Sequence, residues 1–64
     1  MVAINGEPKD AAGQSVLEYM EKNGYNAKAV VVELNLEIIP RDELGNVILK
    51  DEDTLEILRF VGGG

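Results

Sequence analysis

Gly62, Gly63 and Gly64 end the sequence after the strand-forming run Leu58-Arg59-Phe60-Val61, and the α-carboxylate of Gly64 is the group with unusual chemical scope. Glycine has no Cβ, so three in a row fit an extended channel too narrow for other residues, with a partner's backbone hydrogen-bonding along them. Ordering them costs much entropy, so the segment is expected to be mobile when free and to order on docking. A carboxylate resists nucleophiles because its charge repels them and oxide is a poor leaving group. Adenylation removes both obstacles. The acyl-adenylate is electrophilic, AMP leaves, and sulfide or a persulfide converts the group to a thiocarboxylate. The plain alternative is a frayed terminus or a cloning remnant with no chemistry.

Little else competes for a chemical role. The sequence has no His and no Cys, which excludes Ser-His-Asp and Cys-His nucleophile systems and thiolate or imidazole zinc sites. Neither a P-loop nor a G-x-G-x-x-G pattern occurs. Asp51-Glu52-Asp53 lacks the spacing of a calcium loop and reads as a solvated acidic turn, as does Asp42-Glu43, so no metal site is expected. Nothing in the chain can activate its own carboxylate. An ATP-using partner must do so, and the protein itself is not expected to be an enzyme.

Twelve acidic against six basic residues give a net charge of −6. Such a field repels phosphate backbones and anionic lipid, so nucleic acid and membranes are poor partners and a protein with a basic face is a better one. No apolar run approaches the roughly 20 residues of a membrane span, and Met1-Val2-Ala3-Ile4 lacks a signal-peptide pattern, so the cytoplasm is expected. Sixty-four residues make one domain without a disulfide framework, which must live on one compact apolar core. The division expected is a folded body over 1–61 and a tail over 62–64, monomeric when free.

The elements that must carry the tail follow in order. Met1 to Asn5 reads as a first strand, Asn5-Gly6 as a type I′ turn, and Pro8 restricts the returning strand to a short edge piece within Pro8 to Ala12. Ser15-Val16-Leu17-Glu18 is a capping box opening a helix from Val16 to about Asn23, with Val16, Leu17 and Met20 facing the core and Gly24 as its left-handed stop. Tyr19 and Tyr25 are expected to be half-buried beside it. Ala29 to Leu34 is the strongest strand, central to the sheet; Asn35-Leu36-Glu37 turns, and Ile38-Ile39-Pro40 returns. Arg41 to Asn46 reads as polar loop, and Val47-Ile48-Leu49 as apolar packing. Thr54 to Val61 is the last strand, with Leu55, Ile57, Arg59 and Val61 on one face and Glu56, Leu58 and Phe60 on the other. Hairpin, helix, hairpin, loop and strand predict an α+β fold of β-grasp, ubiquitin-like topology, a mixed sheet of four to five strands under one helix. Its first and last strands should pair in parallel at the centre. Leu58 and Phe60, apolar and beside the tail, together with Arg59, form the expected partner-docking surface.

Ala12-Gly13-Gln14-Ser15-Val16, Val32-Glu33-Leu34-Asn35 followed by Ile38-Ile39-Pro40-Arg41, Asp53-Thr54-Leu55-Glu56-Ile57 and the final Gly63-Gly64 together resemble the ThiS family, the sulfur carriers of thiamine thiazole synthesis. The resemblance spans the whole chain. It implies a β-grasp fold and a Gly64 carboxylate adenylated by an E1-like enzyme of the ThiF type, with ATP. It also implies sulfur drawn from a cysteine desulfurase or another donor, and a thiocarboxylate that supplies a thiazole synthase of the ThiG type. No cofactor bound to the carrier itself is implied. Two positions depart from the pattern: Glu52 replaces the usual glycine, so that turn should differ in backbone conformation, and Gly62 adds a third glycine. Another β-grasp sulfur carrier, of the molybdopterin-synthase small-subunit kind or for cysteine or tRNA thiolation, shares the same tail. A β-grasp interaction module without terminal chemistry remains a separate reading.

Overall fold

The computed structural model describes residues 1–59. Strands β1 (Val2–Ile4), β2 (Glu7–Lys9), β3 (Val30–Leu34), β4 (Glu37–Ile38) and β5 (Thr54–Arg59) form one sheet in the order β2-β1-β5-β3-β4. Helix α1 (Val16–Lys22) packs on one face. β1 and β5 are parallel, with Ala3 opposite Thr54 and Ile4 opposite Leu55, and every other pairing is antiparallel. This is the expected β-grasp arrangement.

Both hairpins close through two residues at positive φ, Asn5 and Gly6 at 51° and 84°, then Asn35 and Leu36 at 52° and 73°. Such turns match the twist of the strands they join. The returning strands therefore begin one residue earlier than the sequence suggested. Glu7 pairs with Ile4 and Glu37 with Leu34. Pro8 lies mid-strand in β2, which its missing N–H permits because β2 is an edge. Ala11 has left the sheet and is buried. β3 lies inside the sheet, paired along its length with β5, but β4 covers only Glu33 and Leu34 on its other side.

The capping box forms in both directions. The Glu18 backbone N–H donates to Ser15 Oγ at 3.0 Å, and the Ser15 N–H donates to Glu18 Oε1 at 2.9 Å. The helix ends in a Schellman motif, Tyr25 N–H donating to Met20 O at 2.9 Å and Gly24 N–H to Glu21 O at 3.4 Å, with Gly24 at φ 79°. Seven residues are too few for a stable isolated helix, so packing must supply its stability. Val16 and Met20 are buried as expected. Tyr19 is not half-buried but 8% exposed, and Leu17 sits at the margin of the core; Tyr25 is half-buried.

The stretch read as polar loop is a 3₁₀ helix, Arg41–Asn46, that delivers Leu44 to the core at 2% exposure. A single leucine among charged neighbours gives no periodic signal, and only the packing against α1 reveals its role. Of Val47, Ile48 and Leu49, Leu49 is buried while Ile48 is 49% exposed. Among the described residues no helix is long and apolar enough to cross a membrane.

Candidate functional site

β5 is the element that carries the chain toward the glycines, and its alternation divides its side chains. Leu55 and Ile57 point under α1 and are buried, whereas Thr54, Glu56 and Leu58 face away from the helix. Leu58 is 47% exposed there, as the alternation required. Phe60, expected as its companion in docking, and Gly62, Gly63 and Gly64, expected as the tail, lie outside the described residues.

The open face holds more apolar surface than the sequence reading collected. Val31 stands opposite Leu58 in the β3–β5 ladder, and Ile38, 68% exposed, stands opposite Glu33 on the same face. Alternation along β3 signalled Val31, but Ile38 joins the face only through the β3–β4 register. Glu33 and Glu56 lie directly across from each other. Like charges in that position repel, and a cationic group on a partner would relieve them. An apolar strip with paired carboxylates is suited to receiving a basic-rimmed protein surface.

Arg59 points the other way. Its guanidinium lies over the Tyr25 ring, 5.3 Å from the centroid, and lines a recess of about 330 Å³ with Asn5, Lys9 and Asn23. Leu58 and Arg59 therefore sit on opposite faces, as neighbours on a strand must. Stacking joins the end of β5 to the turn after α1. The side chain of Asn5 reaches the same region, its Oδ1 accepting from the Ile57 N–H at 2.8 Å.

The acidic turn before β5 is structural. Asp53 accepts from the Lys50 N–H at 2.8 Å and from Asn35 Nδ2 at 3.1 Å. Asp51 pairs with the Met1 amino group; the hydrogen bond and attraction hold the Asp51 carboxyl below its usual range and raise the amine above its own. Among the described residues no cluster of acidic side chains is arranged to hold a metal ion. Glu52 has φ 73°, the left-handed conformation that glycine favours, so the turn adopts glycine-like geometry at this residue despite the side chain. These residues tie the turn to the start of the chain and to the β3–β4 turn.

The model of the ThiS family matches residues 2–64. The sulfur carrier protein ThiS of Thermus thermophilus is 36% identical over 64 residues, spanning 100% of both chains. A thiazole synthase of Paramagnetospirillum magneticum is 39% identical over 64 residues, which cover 98% of this chain and 20% of that protein. This chain thus spans about a fifth of the length of that relative, and the same holds for the thiazole synthase of Magnetococcus marinus. The crystal structure of the thiamine biosynthesis protein ThiS of Geobacter metallireducens superposes with a TM-score of 0.81 at 34% identity, covering 98% of this chain and 97% of that one.

Proposed function

The chain belongs to the ThiS family, and from that premise we propose that it is a sulfur carrier for the thiazole ring of thiamine, with the Gly64 carboxylate as its chemical site. The observation that carries this reading is the match across all of the Thermus carrier, together with a glycine run at the shared end. A ThiF-type partner transfers AMP from ATP to Gly64, releasing pyrophosphate. Sulfide, released from a desulfurase persulfide by a thiol reductant that is oxidised to the disulfide, or supplied directly by another donor, attacks the acyl carbon. The C–S bond forms, the C–O bond to AMP breaks, and a thiocarboxylate results. ATP and the sulfur donor belong to the partners, and the carrier is a co-substrate rather than an enzyme.

The body over 1–61 docks and the glycines 62–64 enter the partner's channel. Leu58, with Val31 and Ile38 beside it, supplies the apolar contact, and Phe60 extends it toward the tail. The thiazole synthase relatives, which include a segment like this chain, support a ThiG-type acceptor. We place the exchange in the cytoplasm, where ATP and the partners meet, with the carrier a monomer between encounters.

Incubation with ATP, a ThiF-type enzyme and a sulfur donor is expected to exchange one terminal oxygen for sulfur in the intact mass. An unchanged mass, under conditions that convert a known carrier, overturns the reading. Thiazole formation with a ThiG-type enzyme, set against molybdopterin formation with the corresponding synthase, distinguishes the pathway.

A further inference from the structure

Leu36 breaks two local rules at one position. It is 89% exposed, and its backbone sits at φ 73°, a conformation that a branched side chain disfavours. An exposed turn residue under no demand would be glycine, asparagine or aspartate. The tip is also held firmly. The Asn35 N–H donates to Thr54 O at 2.8 Å, the Thr54 N–H donates to Asn35 Oδ1 at 2.9 Å, and Asn35 Nδ2 donates to Asp53 Oδ1 at 3.1 Å. These bonds anchor the β3–β4 turn to the start of β5 and leave Leu36 projecting from a fixed base. Residues that violate local preference without an internal compensation are where function is expected.

The surroundings describe the surface that would receive it. Glu37 follows in sequence, Asp53 lies against Asn35, and Asp51 and Glu52 complete the same turn beside Lys50. The knob is apolar and its rim is acidic. Its counterpart is an apolar socket edged with lysine or arginine. The tip adjoins Thr54, whereas the tail leaves from the other end of β5, about 17 Å along the strand. One interface of ordinary size, roughly 800 Å² per partner, can span both ends.

We propose that Leu36 is a second docking point, inserting into an apolar, basic-rimmed socket on a thiazole synthase while the glycine tail is engaged at the opposite end of the sheet. This rests on the functional reading above, and the occupant follows from charge complementarity together with the thiazole synthase relatives that carry a body like this one. Two contacts at opposite ends fix the direction in which the carrier lies, so the tail meets the channel in one orientation.

The test measures affinity for a ThiG-type thiazole synthase and the melting temperature of the carrier, for the parent chain, Leu36→Gly and Leu36→Met. Leu36→Gly is expected to melt higher, because the strain is relieved, yet to bind about tenfold more weakly or worse. Leu36→Met keeps the apolar knob and is expected to retain the affinity. Parent affinity should fall as salt rises. Unchanged binding by Leu36→Gly overturns the proposal, as does a loss of binding accompanied by a lower melting temperature, or an affinity indifferent to salt. A parent chain that does not bind thiazole synthase at all overturns the functional reading, and the occupant with it.

Discussion

At Glu52 the backbone sits at φ 73°, where a Cβ crowds the neighbouring carbonyl at a cost of about 1–2 kcal/mol. Glycine removes that crowding but frees the unfolded chain by about 0.5–1 kcal/mol. Glu52→Gly should therefore stabilise the protein by about 0.5–1 kcal/mol, visible as a higher urea midpoint; a lower midpoint would show that the side chain contributes more than its strain removes. On β5, two leucines three residues apart should respond in opposite ways. Leu55 is fully buried, so Leu55→Ala should cost about 2–5 kcal/mol. Leu58 is half-exposed on the open face, so Leu58→Ala should change stability by about 0.5 kcal/mol or less while weakening partner binding. Paired measurements of unfolding and of affinity for the proposed adenylating partner separate the two roles, and a Leu58→Ala chain that unfolds like Leu55→Ala would place Leu58 in the core.

α1 is a seven-residue helix whose first turn is secured by Ser15 and Glu18, and whose last is secured by Gly24 and Tyr25. Its stability depends on these ends and on Val16, Tyr19 and Met20 against the sheet. Ser15→Ala removes the acceptor for the Glu18 N–H inside a nearly buried site. A loss of about 1 kcal/mol is expected, read from denaturant unfolding with an unchanged slope. A negligible change would mean that tertiary packing alone holds the turn. β5 functions as the spine of the molecule at this scale, since it joins the β1–β2 and β3–β4 hairpins.

For the molecule as a whole, a net charge of −6 and the Glu33–Glu56 pair make self-repulsion and attraction to the proposed basic-rimmed partner two consequences of one charge distribution. Raising salt should therefore increase the melting temperature of the free protein while weakening its association with a basic partner. Movement of both quantities in the same direction would contradict this. Local chemistry was readable from residue order: Asn5-Gly6 required positive φ, Ser15 and Glu18 formed the capping box, and the alternation of β5 sent Leu55 and Ile57 one way and Leu58 the other. Those features depend on residues one to three apart, so no folded partner is needed to see them. Tertiary structure decided the rest. Leu44 became core because the 3₁₀ helix lies against α1, and Tyr19 was buried because it joins the core cluster that the sheet residues complete. Ile38 joined the open face through the register of β4 on β3, and Arg59 found the Tyr25 ring across the fold. Leu36 and Glu52 hold positive φ because hydrogen bonds to distant backbone and side-chain groups anchor their turns. Each of these rests on contacts between segments far apart in the chain, whose free energy no local pattern records.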